Sequence, residues 1–214
     1  MSGLFITFEG TEGCGKTTQI ALLADRLRGT GRAVKLLREP GGTPIGEEIR
    51  HTLKHSQQNH AMTSEAELLL MSASRAQLVR EIIRPALSAG EVVLCDRFYD
   101  STTAYQGYGR GLDLKVIQAM TDFAVGGTHP DVTFLLRISS ETSRARQASR
   151  QATRPVVRDR FEEADGSFFE RVAKGYEAIA AAEPDRVKAI DAAGSVEMVS
   201  AAIWKHVETL LKAR

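Results

Sequence analysis

Cysteine is scarce. Cys14 and Cys95 are the only two in 214 residues, too few for a disulfide framework or a four-ligand zinc site. No apolar run approaches the roughly 18 residues that a membrane span requires; the longest are strand-sized. The N-terminus lacks a basic region, and Glu9 interrupts the apolar stretch at 4–8, so no secretory signal is expected. Neither sign of charge dominates: 28 Lys and Arg face 27 Asp and Glu. A net charge of +1 argues against a general nucleic-acid or membrane-surface binder. Six prolines and 18 glycines leave no low-complexity bias. The expectation is a soluble, reduced, cytoplasmic protein folded as one domain over 1–214.

Short apolar runs alternate with longer helical patterns along the whole chain. Strands are expected at 4–8, 33–37, 92–95, 132–138 and 187–190. Helices are expected at 16–28, 44–53, 114–125, 141–150, 167–182 and 196–211. Gly29, Thr30 and Gly31 close the first helix. Ser64 with Glu67 three residues on reads as a capping box, opening a helix towards residue 87, with Pro85 kinking its end and Gly90 stopping it. Strands alternating with helices imply βαβ units: a three-layer α/β fold with a mainly parallel sheet and helices on both faces.

Residues 10–17 complete the pattern G-x-x-x-x-G-K-[ST], directly after an apolar strand and before a helix. Gly10, Thr11, Glu12, Gly13, Cys14, Gly15, Lys16, Thr17 and Thr18 are the candidate phosphate cradle. Glycines let the backbone N–H groups turn inward, the helix start adds its dipole, and Lys16 adds a full charge. The Thr17 hydroxyl suits Mg²⁺. Glu12 is an acid in a loop built for anions. It should point away from the triphosphate, towards an acceptor hydroxyl or a Mg²⁺-bound water. Cys14 reads as a small filler.

Three classes of phosphate-loop protein compete. A GTPase switch would carry N-K-x-D, which is absent, and its D-x-x-G occurs only at 191–194, after the last strand. A motor ATPase would follow the acidic strand end at Asp96 with a water-activating acid, but Arg97 stands there. A small-molecule kinase needs an arginine-rich lid that excludes water and neutralises the moving phosphoryl group. Arg144, Arg146, Arg150, Arg154, Arg158 and Arg160 lie within 144–160, with Asp159 as the only acid and no lysine. The planar fork of arginine matches phosphate oxygens.

Several strings together resemble the thymidylate (dTMP) kinase family. They are Glu9-Gly10-x-Glu12-Gly13-x-Gly15-Lys16-Thr17-Thr18, Arg38-Glu39-Pro40-Gly41-Gly42-Thr43, Asp96-Arg97, Ser101-Thr102-x-Ala104-Tyr105-Gln106-Gly107 and Asp159-Arg160-Phe161-Glu162. The order and spacing match over nearly the whole chain. The likeness is to the bacterial type, whose catalytic arginines sit in the lid. It implies the nucleoside monophosphate kinase variant of the phosphate-loop fold, with a five-stranded parallel sheet flanked by helices. It implies transfer of the γ-phosphoryl group of ATP to dTMP with Mg²⁺, giving dTDP for dTTP synthesis, by a homodimer.

By position, the resemblance assigns Arg97 and Arg38 to the acceptor phosphate. Glu12 goes to the 3′-hydroxyl and the metal–water network, and Arg75 and Thr102 to the thymine edge. Tyr105 is assigned to the sugar, Gln106 to the pocket around it, and Arg146 and Arg150 to lid catalysis. Ser101 and Asp96 join the acceptor site, and Asp96 is also a candidate metal ligand beside Thr17. Met71 stands where the family usually has a phenylalanine over thymine. Ser74 replaces an acid, Arg137 an aspartate and Ala148 an arginine, and the stretch to Asp159 is longer than usual. A kinase with another monophosphate acceptor, or a nucleotide-binding regulator without turnover, remain the alternatives.

Overall fold

A computed structural model describes residues 3–56, 58–153 and 166–212. The chain opens with β1 (Leu4–Glu9), α1 (Lys16–Gly29), β2 (Val34–Arg38), α2 (Pro44–Lys54) and one 3-10 turn (Asn59–Ala61). Next come α3 (Ser64–Leu78), a π-helical turn (Val79–Ile83), α4 (Arg84–Ser88), β3 (Val92–Asp96) and α5 (Tyr99–Thr102), which runs into a second π segment (Thr103–Gly109). The remainder is α6 (Leu114–Val125), β4 (Val132–Arg137), α7 (Ser140–Thr153), α8 (Gly166–Ala182), β5 (Val187–Asp191) and α9 (Val196–Lys212). Arg154, Arg158, Asp159, Arg160, Phe161 and Glu162 of the expected lid lie outside the described residues.

The strands form one parallel sheet in the order β2-β3-β1-β4-β5. β1 sits centrally, with Ile6 opposite both Leu94 of β3 and Val132 of β4. Each residue of β1 is buried because helices cover both faces. Strand alternation sends Leu4, Ile6 and Phe8 to one face, against Ile20, Leu23 and Leu27 of α1 and Val199, Ile203 and Val207 of α9. On the other face Phe5 packs with Leu78, Val79, Ile83 and Phe98. Leu135 of β4 packs there with Tyr105 and with Phe168, Val172 and Tyr176 of α8.

The expected capping box is not what starts α3. Thr63 is the N-cap, accepting from the Ala66 N–H at 3.2 Å, and Glu67 is buried in the interior. A threonine one residue earlier offers the same oxygen with the extended backbone that a cap needs. Helical backbone does run on past residue 87, as expected, but it is interrupted in register by a π turn. Pro85 cannot donate, and the chain widens into the π turn at Val79–Ile83 before restarting with Pro85 in the first turn of α4. The segment Tyr99–Gly109 was not legible as helix, since its composition is rich in Gly, Ser and Thr. The other elements match to within a few residues.

Leu27 is fully buried between α1 and the sheet. Leu27→Ala is expected to lower the unfolding free energy by about 2–5 kcal/mol, seen as a lower urea midpoint at unchanged m-value.

Candidate active site

The loop between β1 and α1 wraps tightly because its glycines permit it. Gly10 has φ 132°, and a Cβ there would lie 2.5 Å from the Leu136 carbonyl oxygen. Gly15 caps α1 in the left-handed region at φ 97°. Lys16 curls back over the loop, its Nζ donating to the carbonyls of Gly10 at 3.0 Å and Thr11 at 3.2 Å. Cys14 is buried beside it and belongs to the core cluster under α1. The Thr17 hydroxyl donates to Asp96 Oδ2 at 3.4 Å, so an alcohol and a carboxylate meet at the strand ends. This all-oxygen pair fits Mg²⁺, which takes few protein ligands and completes its shell with phosphates and water.

Beside this cradle stands Arg97, at φ 69° the one described non-glycine residue with positive φ. Such a conformation costs about 1–3 kcal/mol and persists only where surroundings enforce it. Here they do. Its Nη2 donates to Glu12 Oε1 at 2.8 Å and Tyr105 Oη at 3.3 Å, and its Nη1 to Tyr176 Oη at 3.0 Å and Ser101 Oγ at 3.1 Å. Glu9, the last residue of β1, anchors the same group from below. It accepts from the Phe98 N–H at 2.8 Å, Ser101 Oγ at 2.6 Å and Tyr176 Oη at 2.8 Å. Burial, then Asp100, push the Glu9 carboxyl up, against the pull of Arg97 and these donors. Burial also pushes Glu12 upward, but Arg97 and Lys16 outweigh it and hold that carboxyl down at about 2.

Helix α3 supplies a third part. Met71 packs against the α8 cluster, and Arg75 one turn later is 2 % exposed. Arg75 Nε and Nη2 reach Glu39 Oε2 at 2.8 and 2.7 Å, and Nη2 also donates to the Phe98 carbonyl at 3.3 Å. Burial pushes Glu39 up to about 7, more than Arg75 draws it down. Among the described residues, Arg75 Nη1 and Glu39 Oε1 are buried without a protein partner, as expected of a pocket that meets a ligand's polar edge. Ser74 uses its hydroxyl to accept from the Gly41 N–H at 3.1 Å. Gln106 Nε2 donates to Glu67 Oε1 at 2.7 Å, and Arg110 Nη2 to Glu67 Oε2 at 3.1 Å. Thr102 is buried in the same wall.

Not every expected residue joins this group. Arg38 is opposite Asp96 across β2–β3, yet its side chain is half exposed and paired with Glu47 at 2.8 Å. Arg146 does not reach towards Arg97. Its guanidinium spans the Gly13 carbonyl at 3.4 Å and the Ala192 carbonyl at 3.1 Å, roofing a cavity of about 330 Å³ lined also by Cys14, Thr18 and Gln19. Arg150 follows one turn later on α7, with its side chain outside the description. Arg137 pairs with Glu177 of α8. Sequence reasoning passed over Glu9, Glu39, Glu67, Arg110 and Tyr176 as functional residues. Glu9 and Glu39 stood inside the quoted motifs, whereas no local signal marked the other three.

Arg97 and Lys16 hold the Glu12 carboxyl down at about 2 in the folded chain, against an ordinary value of 4.5, so the folded chain binds fewer protons in between and stability rises with pH there. The charge-dependent advantage of wild type over Glu12→Gln should be on the order of 2 kcal/mol at neutral pH. It should be complete above pH 4.5 and lost as pH falls towards 2. Urea titrations of both proteins through this window check it; a difference independent of pH counts against the assignment.

The family model described as Thymidylate kinase matches residues 8–203. A thymidylate kinase of Geobacter sp. (strain M21) is 46 % identical over 216 residues, covering 99 % of this chain and 96 % of the relative. One of Synechococcus sp. (strain JA-3-3Ab) is 48 % identical over 210 residues, covering 98 % of each. Among solved structures, the crystal structure of thymidylate kinase from Ehrlichia chaffeensis superposes with a TM-score of 0.77 at 33 % identity, covering 97 % of this chain and 100 % of that one. With a matching model over most of its length and relatives this similar, the chain belongs to the thymidylate kinase family.

Proposed function

We propose that this chain moves the γ-phosphoryl group of ATP onto dTMP, giving dTDP and ADP, within a single domain whose residues act as follows. The observation that carries the reading is that Arg97, after Asp96, reaches Glu12 at 2.8 Å within the same glycine loop whose Gly10 and Thr11 carbonyls hold Lys16. Two anion sites thus sit side by side with one acid between them. An acceptor that is already a phosphate needs no general base, so the work left to the protein is to hold two anions together. The loop N–H groups and Lys16 grip the donor phosphates, and Arg97 grips the acceptor phosphate. Glu12, ionised beside Arg97, turns to the 3′-hydroxyl.

Tyr105 lies along the sugar, with burial, partly offset by Arg97, raising its hydroxyl to about 12, so it remains a neutral donor. Arg75 offers Nη1, which has no partner among the described residues, to the base, Met71 covers the ring, and Thr102, Gln106 and Ser101 complete the wall. Arg38, at the pocket rim, serves the acceptor phosphate only by exchanging Glu47 for it. Arg146 covers the donor base, which leaves Arg150 and the arginines after it to neutralise the phosphoryl group in flight. Thr17 and Asp96, with Glu12 acting through water, would hold Mg²⁺, which would supply charge neutralisation to the donor phosphates when bound. The cytoplasm, where dTTP is made, is the compartment this reading assigns.

An assay of ADP release with dTMP, dUMP, CMP, AMP and no acceptor tests the reading. Rapid turnover is expected with dTMP, slower with dUMP and none with the rest. Turnover without acceptor, or with CMP in preference to dTMP, overturns it.

The homodimer is part of the same proposal. α3 and α6 pack together and expose Leu69, Val116 and Phe123, the last 76 % accessible, on their outer faces. A second copy of the chain covering this face accounts for such apolar exposure. Sedimentation of wild type should report a dimer and Phe123→Glu a monomer; a monomeric wild type refutes this part.

A further inference from the structure

We propose that Gln19 is the residue that reads the donor base, its side-chain carbonyl oxygen accepting a hydrogen bond from an exocyclic amino group at C6 of a purine. Gln19 lies one turn into α1, lines the cavity roofed by Arg146 and is 4 % exposed. Its amide orientation follows from its partner. The group 3.0 Å from the Val196 carbonyl must be the Nε2 donor, since two carbonyl oxygens cannot pair. That leaves Oε1, which is buried and has no protein partner among the described residues. A buried acceptor without a donor is costly unless a ligand supplies one.

Arg146, the charged side chain lining this cavity, is already engaged. Its Nη1 and Nη2 donate to the Gly13 and Ala192 carbonyls at 3.4 and 3.1 Å. The cavity adjoins Gly13, Gly15 and Thr18 of the phosphate cradle, where the base of a nucleotide whose phosphates enter the loop would lie. Adenine presents an amino donor at C6, whereas guanine presents a carbonyl. Against a fixed Oε1, the carbonyl sets two acceptors together, so the same residue that favours adenine disfavours guanine. Val196 opens α9, so the bond that orients Gln19 also ties α1 to the segment after β5.

Titration calorimetry with ATP and with purine riboside 5′-triphosphate, which carries hydrogen at C6, tests this. The wild type should bind ATP about two- to tenfold more tightly, the worth of one neutral hydrogen bond. In Gln19→Met, of similar length but without the acceptor, the ratio should fall to about one. Equal binding of the two ligands by wild type overturns the proposal, as does a Gln19→Met ratio equal to that of wild type. The wild-type comparison needs no variant, so it decides even where Gln19→Met folds poorly. The inference rests on the reading that ATP is the donor. Failure of wild type to form dTDP refutes the dTMP kinase reading, while the binding ratio judges Gln19 separately.

Discussion

Burying an arginine is expensive unless its charge is matched, and the centre of this protein is organised around meeting that cost at Arg97. Glu9 lies at the end of the central strand, paired with Leu135 of β4, and it gathers Ser101, Tyr176 and the Phe98 N–H around one carboxylate. Those groups in turn hold the Arg97 guanidinium at its strained backbone position. The charge is therefore in place before any phosphate arrives, so little reorganisation is left for the moment of reaction. Glu12 is the replaceable partner: it sits on the loop, is part-exposed, and can move where Glu9 cannot.

How much of this was readable in advance depends on how local each signal was. The strands β1, β3 and β4 are near-continuous apolar runs because the sheet buries both faces, and the phosphate loop is written in eight adjacent positions. The Asp96-Arg97 pair was equally local. Glu67, by contrast, looked like half of a capping box because its spacing from Ser64 is right. Its actual partners, Gln106 and Arg110, are about forty residues on, and nothing within one turn distinguishes a buried carboxylate from a capping one. The placement of Arg146 is long-range for a related reason. An arginine count locates a basic segment, but only the positions of the Gly13 and Ala192 carbonyls decide which way one guanidinium turns.

The π segments mark the same boundary between local and long-range information. Thr103–Gly109 carries Tyr105 and Gln106 on consecutive residues, and the wider turn brings Tyr105 towards Arg97 while Gln106 faces Glu67 on α3. Propensity does not select such a turn; it is maintained by the contacts it makes, including the Tyr105 ring edge-on to Phe168. The first π turn, at Val79–Ile83, has a plainer cause in the missing N–H of Pro85.

Strand parity then explains how one sheet serves two substrates. On β1, even positions face α1 and α9, and odd positions face α3 and α8. Gln19 and Val196 belong to the first side, with the cavity beside the phosphate loop. Glu9, Arg75, Tyr105 and Tyr176 belong to the second. The loop at the carboxyl end of β1 borders both, at the point where the chain changes direction across the sheet. A shift of one residue in β1 register would send Glu9 to the wrong face and leave Arg97 uncompensated.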